Sequence, residues 1–569
     1  MHKLWKLRDR FGTTSEVMNP ELPVHPLVLE ILAARGCATS DAIRTFLTPS
    51  LSDMLDPYHL RGMETAVARV IKARSSGEMI CVYGDYDVDG ITGTALLVSF
   101  LRATGFTCSY FIPNRFDDGY GLNSVSIEAI IATGATLIIS VDCGITAVEE
   151  AALCRTRGVD LVIVDHHAPK EVLPAVCAIL NPLQTGCEYP FKALAGVGVA
   201  FNLLVALRSA LREAGAFEAG GIPDLRKWLD LVALGTIADV VPLVGQNRIY
   251  TYHGLKQISQ SDKPGLQALK RVAGIKDGAV TCGQVGFRLA PRLNAAGRME
   301  SAVPGVDLLM STRLDESLLI ASELETANAE RQSIERRIFE EAVAMVESGG
   351  DYPARRSIVL ASADWHQGVI GIVASRLVER YHRPTILIAL TDDGLGKGSG
   401  RSIPGFHLLD ALDPCAAYLA RYGGHRYAAG IGLTSVNVPA FAEAFEGVAT
   451  STLTEGDLLP RLTIDAEVEP GDVTKELALE LKRLEPFGMG NPEPILMLRG
   501  MTVAERRTVG EGHLRLRVTR AGCSFVAIAF NLADRDTSGL IDVAFFPEFN
   551  EWNGTSSLQL RVKDLRSAE

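Results

Sequence analysis

The 569-residue chain has no apolar run long enough to span a bilayer, so no membrane-spanning helix is expected. Its ten cysteines include no C-x-x-C pair, which argues against a zinc knuckle and against a disulfide framework. Cys81, Cys143 and Cys177 fall in or beside expected strands and read as small core residues of a protein kept in a reducing cytoplasm. The start, Met1-His2-Lys3-Leu4-Trp5-Lys6, is basic, but no apolar core or small-residue cleavage site follows, so no signal peptide is expected. Positive charge is not in excess either: the formal net charge is −12. As a mean this argues weakly against a nucleic-acid partner. Mean charge decides little, however, when carboxylates gather at one site and arginines at another. The length is too great for one core, and two to four domains are expected.

What is present is concentrated. In Gly84-Asp85-Tyr86-Asp87-Val88-Asp89-Gly90, three carboxylates alternate, with an apolar run before them and an apolar helical pattern after. Acids this close repel one another and suit neither strand nor helix, so a metal cation is expected among them. The plainer alternative is an acidic turn that caps the next helix. From Glu64 onward strand and helix alternate, with strands over 80–83, 107–112, 137–141, 161–164 and 178–181. Uniformly apolar strands joined by helices indicate a parallel sheet covered on both faces, with ligands beyond the carboxyl ends of the strands. One strand runs into Asp85, Asp87 and Asp89, another into Asp142, and a third into Asp165-His166-His167. A further apolar stretch, 228–237, leads to Asp239. Each alone reads as a cap or a structural side chain; together they would gather at one rim.

Downstream, Gly286-Phe287-Arg288-Leu289-Ala290-Pro291-Arg292-Leu293-Asn294-Ala295-Ala296-Gly297-Arg298 sets arginines among small residues. That suits close backbone approach to a phosphate with arginine forks, or else a solvated loop. Residues 311–348 form one long helical pattern, roughly 50 Å if continuous, that reads as a rigid connector. A second α/β unit begins at Arg356. It carries two glycine-rich pieces, 396–402 and 423–430, in which backbone N–H groups can face an anion and Ser399, Arg401 and His425 add donors. After Glu455 come five strand-like runs, 495–503, 513–519, 524–530, 541–546 and 558–562, as in an OB-type barrel that holds single strands by stacking and basic grooves. Phe525, Phe530, Phe546 and Trp552 are available there with Arg515, Arg517, Arg520 and Arg561, though most of these aromatics read as core.

The Asp-x-Asp-x-Asp-Gly turn, Val141-Asp142-Cys143-Gly144, Asp165-His166-His167 and the later Asp239 resemble the ordered motifs of the DHH phosphoesterase superfamily. Trp365-His366-Gln367-Gly368-Val369-Ile370-Gly371, Gly423-Gly424-His425 and Pro486-Phe487-Gly488-Met489-Gly490-Asn491-Pro492 narrow the resemblance to its bacterial single-strand-specific DNA exonucleases. The resemblance implies an α/β multidomain fold: an N-terminal cover (1–60), a parallel-sheet DHH domain (61–310), a connecting helix (311–350), a smaller α/β DHHA1-type domain (351–454) and an OB-type barrel (455–569). It implies 5′-to-3′ hydrolysis of single-stranded DNA to 5′-mononucleotides in repair and recombination, with two Mn²⁺ or Mg²⁺ ions. Carboxylates with one or two imidazoles suit Mn²⁺. The expected metal ligands are Asp85, Asp87, Asp89, Asp142, His166 and Asp239, with Asp142 bridging; which of the first three touch metal stays open. Expected catalytic residues are Asp142, His166, His167, Arg401 and His425, with His167 either a ligand or a donor to the scissile phosphate. Expected substrate contacts are Arg115, Arg292, Asn294, Arg298, Ser399, Arg401, Gly424 and His425. The expected partner is single-stranded DNA with a 5′ end, with a single-strand-binding protein and a RecQ-type helicase suggested by the family. No membrane is involved, and a cytoplasmic monomer is expected.

Overall fold

The computed structural model describes residues 3–8, 23–115, 119–217, 221–276, 278–350, 352, 354–552 and 555–568. Met1 and His2 of the basic start, and residues 9–22 of the expected N-terminal cover, lie outside the described residues.

The first unit is built on a five-stranded sheet in the order Thr107–Phe111, Met79–Gly84, Ala135–Val141, Asp160–Val164, Ala178–Leu180, parallel throughout. The apolar strands require this, since helices cover both faces. The helix Val88–Ala103 follows the strand Met79–Gly84, which lies inside the sheet, and thirteen of its sixteen residues are buried. Asp87 is its N-cap, its carboxylate accepting from the backbone of Asp89 (2.9 Å) and Gly90 (3.2 Å). Gly90 is needed for close approach: a Cβ there would lie 2.5 Å from the Asp85 carbonyl oxygen. The apolar stretch before Asp239 is a buried helix, Leu229–Ala238, not a strand of the sheet. An unbroken apolar run fits either element, and length is what separates them.

The arginine-bearing segment is helical where a loop was one of the readings. A Thr281–Gln284 capping box starts it, a π-turn Val285–Leu289 follows, and Ala290–Met299 completes it with Pro291 in its first turn. The long helix Leu314–Ser348 joins two cores. Ala321 and Leu324 belong to that of the first unit, and Ile338, Ala342 and Val346 to a cluster with the helix Ile370–Tyr381.

The second unit has a mixed sheet, ordered Arg421–Gly424, Ala428–Thr434, Leu395–Arg401, Thr385–Leu390, Ile358–Ser362. Its first glycine-rich piece is thus the central strand of this sheet, its backbone N–H groups committed largely to the ladder. Gly396, Gly398 and Gly400 face a crowded core; a Cβ on Gly398 would lie 2.5 Å from Ile431. Glycine there is a packing requirement, and the intervening Lys397, Ser399 and Arg401 take the opposite face.

The third unit is a closed barrel in which Leu496–Val509 pairs with both His513–Arg520 and Leu540–Trp552, while Cys523–Ala529 and Thr555–Ser567 complete the ring. The N-terminal helices Pro26–Ala34 and Ser40–Leu47 share its core, burying Ile31, Leu32 and Ile43 against barrel residues such as Leu498 and Phe545. Each such side chain contributes roughly 1.5–3 kcal/mol, so the first described residues of the chain belong energetically with its last. Arg248 fixes this assembly to the first unit. It is buried and donates to the carbonyls of Phe46, Leu484 and Glu485. Of the barrel aromatics, Phe546 is buried, Phe525 packs on the core, and Phe530 is exposed beside His513. The Trp552 side chain lies outside the described residues.

Candidate metal centre and facing anion pocket

The turns after three parallel strands and the end of one helix converge. His166 Nε2 lies 3.2 Å from Asp142, 3.6 Å from Asp239 and 3.9 Å from Asp89. Three sets of ligand atoms each fall within 4.8 Å of one another: Asp142–His166–His167, Asp89–His166–Asp239 and Asp85–Asp87–Asp142. Asp142 and His166 each belong to two sets, so neighbouring cations could share them. The Asp142 backbone is left-handed (φ 62°), which aims its carboxylate back over the rim.

Burial, with neighbouring acids, raises these carboxylates. Asp85 and Asp142 are held well above the usual range by burial first, then by Asp87 and Asp89 respectively. Burial and Asp87 push Asp89 up to about 7, and burial and Asp89 push Asp239 to about 9. They cannot all ionise unless a cation joins them. His166 is lowered to about 4, chiefly by burial and then by His167, so its ring is neutral. Asp85 Oδ1, Asp142 Oδ1, His166 Nε2 and Asp239 Oδ2 are buried without a hydrogen-bond partner. Neutral imidazole and unpartnered carboxylate oxygens are what a Mn²⁺ or Mg²⁺ site requires of its donors.

Supporting groups fix the geometry. The Asp89 carboxylate accepts from the backbone of Gly196 (2.6 Å) and Val197 (2.8 Å), at the start of the helix Gly196–Glu213. Asp165 accepts from the backbone of His166, His167 and Ile145 and lies 2.8 Å from His167 Nδ1. Burial alone would lower His167, but Asp165 outweighs it and raises the imidazole above its ordinary value. The Tyr120 hydroxyl sits 3.3 Å from the His167 ring and donates to the Asp142 carbonyl.

Across from the acids is a cavity of about 670 Å³ between the first and second units. Tyr86, Arg115, Tyr120 and Arg298 line it from one side, and Gln367, Lys397, Ser399, Arg401 and Arg421 from the other. Arg298 donates to the Gly368 carbonyl (3.1 Å), and Arg401 to the Gly400 carbonyl (2.7 Å) and Ser399 Oγ (3.2 Å). Arg115 lies over the Tyr86 ring, 5.1 Å from its centroid. Burial first, then Arg115, lowers Arg298 to about 10 and lowers Arg401 too. The cations crowd one another as the acids do, and an anion is the missing partner.

Of the residues expected from sequence, Asp85, Asp87, Asp89, Asp142, His166, His167 and Asp239 come together, and Arg115, Arg298, Ser399 and Arg401 meet across the cleft. Others do not join them. Arg292 pairs with Glu325 of the long helix. Asn294 accepts from the Val88 backbone (3.1 Å) and so braces the acidic turn. Gly424 and His425 sit at an exposed strand end outside the cavity lining. Tyr120, Gln367, Lys397 and Arg421 are cavity residues that the sequence reading does not single out. The every-second-residue spacing of Lys397, Ser399 and Arg401 is the signal that could have found Lys397.

An acid and imidazole cluster at the carboxyl rim of a parallel sheet, faced by a cation-lined domain, defines a metal-dependent phosphoesterase of the DHH type. Family models agree: the DHH family N-terminal domain matches residues 79–236, the DHHA1 domain 355–451 and the RecJ OB domain 464–564. The chain belongs to the RecJ family. It is 38% identical to the single-stranded-DNA-specific exonuclease RecJ of Bacillus subtilis (strain 168), covering 99% of this chain and 71% of that one. Identity is again 38% with RecJ of Escherichia coli (strain K12), covering 98% of this chain and 99% of the other. The crystal structure of RecJ in complex with Mn²⁺ from Thermus thermophilus superposes with a TM-score of 0.86 at 33% identity, covering 100% of this chain and 80% of that one. A Mg²⁺ complex of RecJ from the same organism gives a TM-score of 0.79 at 32% identity, covering 100% of this chain and 79% of that one.

Proposed function

We propose that the chain is a metal-dependent exonuclease specific for single-stranded DNA, taking 5′ ends and releasing 5′-mononucleotides in DNA repair and recombination. The observation that carries this is the facing arrangement: an acid cluster with unpartnered donor atoms opposite a cavity lined by guanidinium groups that, among the described residues, no carboxylate pairs. A 5′ phosphate held on the second unit sets the first phosphodiester over the acids, and cleavage releases one nucleotide.

Asp85, Asp87, Asp89, Asp142, His166 and Asp239 would hold two Mn²⁺ or Mg²⁺ ions, with Asp142 common to both. Bound there, the ions supply charge to activate a water and to steady the leaving oxygen. The chain's own groups do the rest. Arg115, Ser399 and Arg401 grip the 5′ phosphate, with Arg298 behind them. His167, oriented by Asp165, donates a hydrogen bond to the scissile phosphate. Tyr120 holds the His167 ring in place. His425 and Gly424 lie outside the cavity lining in this structure, and a contact of theirs with substrate requires the strand end to approach it. Single-strand selectivity is steric, because the cleft between two units admits one strand.

The family resemblance supports the finer features: a single-strand-binding protein and a RecQ-type helicase as partners, a monomer, and a division near residues 60, 310, 350 and 454. Among the described residues no helix is long and apolar enough to cross a membrane. All ten cysteines are free, which suits a reducing cytoplasm.

The test offers 5′-phosphorylated single-stranded DNA, blunt duplex, cyclic dinucleotide and pyrophosphate with Mn²⁺, Mg²⁺ or EDTA, beside Asp142→Ala. Mononucleotide release from the single strand alone, lost in EDTA and in the variant, is expected. Release that survives either treatment would refute the metal assignment, and equal rates on duplex would refute the steric one.

A further inference from the structure

We propose that the cavity takes strands whose 5′ end carries two or three phosphates, so that the first product is a nucleoside 5′-di- or triphosphate. This rests on the exonuclease reading above and extends its substrate class.

The strand Leu395–Arg401 forms part of the cavity wall. Arg401, Ser399 and Lys397 share one face at two-residue steps, each roughly 7 Å. Lys397 is therefore roughly 13 Å along the backbone from Arg401. The register adds a second cation to the outer row: Lys397 pairs with Gly432, and Gly432 with Arg421. The row inside it, Ser399–Gly430–Gly423, has no side chain beyond the serine. A Cβ on Gly430 or Gly423 would meet nothing within 4 Å, so this part of the cavity floor is bare backbone with open space above it. An anion longer than one phosphate can lie there.

Charge points the same way. Among the described residues, Arg115, Arg298, Lys397, Arg401 and Arg421 form no ion pair with a carboxylate, and no carboxylate lines the cavity. A terminal phosphate carries at most about two negative charges. Arg115, Arg298 and Arg401 already suffice for it, so among the described residues Lys397 and Arg421 are additional positive charge one row further out. Phosphoanhydride groups continuing from a phosphate at Ser399 and Arg401 would reach that row, with Tyr422 at its rim. The chemistry of cleavage is unchanged. Water oxygen bonds to the phosphorus linking the first two nucleotides, the bond from that phosphorus to the first nucleotide's 3′ oxygen breaks, and that oxygen takes a proton. The anhydride bonds stay intact, and the shortened strand is left with a 5′ monophosphate for the next turnover.

The experiment compares one single-stranded DNA sequence bearing a 5′ hydroxyl, monophosphate or triphosphate, with products separated by ion-exchange chromatography. The triphosphate end should show a KM about tenfold below that of the monophosphate end, with nucleoside triphosphate as the first product. Replacing both outer cations (Lys397→Gln with Arg421→Gln) should lower the triphosphate-to-monophosphate ratio of kcat/KM by about tenfold, while turnover of the monophosphate end reports that the variant is folded. A triphosphate end cut more slowly than a hydroxyl end, pyrophosphate as first product, or a ratio unmoved by the double substitution would each overturn the proposal. Failure of the wild-type protein to degrade the monophosphate strand would instead sink the exonuclease reading itself.

Discussion

The acid rim of the first unit and the cation face of the second are the same problem with opposite sign. Each gathers like charges, the acid rim with buried polar atoms that have no protein partner, and the cation face with Arg401 half-buried and Lys397 and Arg421 exposed. The difference lies in how each is built. The acids stand on turns after separate strands and, for Asp239, at the end of the helix Leu229–Ala238, and backbone amides of Gly90, Gly196, Val197 and Ile145 hold several of their carboxylates. The cations stand on two strands of the second sheet (Lys397 and Arg401, then Arg421), on the helix Ala290–Met299 (Arg298) and on the turn after Thr107–Phe111 (Arg115), and carbonyls of Gly368 and Gly400 hold two of them. The first arrangement fixes small ions closely. The second gives a broader field that a flexible phosphate chain can enter. Neither half is electrostatically satisfied alone, and metal and substrate complete them together.

The sharpest way to break this symmetry is to neutralise one charge on the acid side. Asp142→Asn keeps the shape and removes the carboxylate common to two ligand sets. Nuclease activity in Mn²⁺ should fall by about a thousandfold or more, since several kcal/mol of transition-state stabilisation depends on the ions. Stability should move the other way without metal. Asp89, raised to about 7, binds its proton more tightly folded than unfolded. The metal-free fold has that contribution at acid pH and loses it as pH rises through about 7. In EDTA the wild-type Tm should therefore decline from about pH 5 to about pH 8 in a buffer series. Asp142→Asn should flatten the decline, because it removes a second buried carboxyl whose value is raised in the fold, and Mn²⁺ should abolish it in the wild type only. A steeper decline in the variant would contradict the assignment of part of it to Asp142.

On the cation side the effect should be smaller and should fall on binding. Arg401→Gln removes one charged donor from a site that keeps Arg115 and Arg298. A loss of about 10- to 100-fold in kcat/KM for 5′-phosphorylated strands is expected, carried mainly by KM, from one charge-assisted hydrogen bond. Hydroxyl-ended strands should lose much less. Equal losses on both ends would mean that Arg401 does not read the phosphate.

How far each half could be read from the chain follows from the same difference. The acids were legible because each sits in a short motif beside a strand whose apolar run is plain, and a parallel sheet brings such turns to one rim whatever the details. Asp239 was legible as an acid after an apolar run, though that run is the helix Leu229–Ala238. The cation face was harder. Glycine at 396, 398 and 400 suggested backbone N–H groups turned to an anion, whereas it answers to Ile388, Ile431 and Leu408 packed beneath a strand. That contact is between residues distant in sequence, and composition does not carry it. The placing of Lys397 beside Arg421 depends on the register across Gly432, which is equally invisible in the chain. The barrel was legible as five runs, but not its sharing of a core with Ile31 and Ile43 near the other end of the sequence.

Arg292 gives the smallest expected effect and separates the two kinds of evidence most cleanly. Its place among Arg288, Asn294 and Arg298 suggested a phosphate contact. In the structure the helix Ala290–Met299 turns its side chain to Glu325 (3.1 Å), on the long helix and away from the cavity lining. A partly exposed pair of this kind contributes about 1 kcal/mol at most. Arg292→Gln should therefore lower Tm by a few degrees and leave kcat/KM within about threefold of wild type. Glu325→Gln should have the same stability effect, and the double variant no more than either single one, because both remove one interaction. If Arg292→Gln instead raised KM for 5′-phosphorylated strands about tenfold while Glu325→Gln did not, the arginine would be a substrate contact. The helix carrying it would then have to turn towards the cleft when DNA binds.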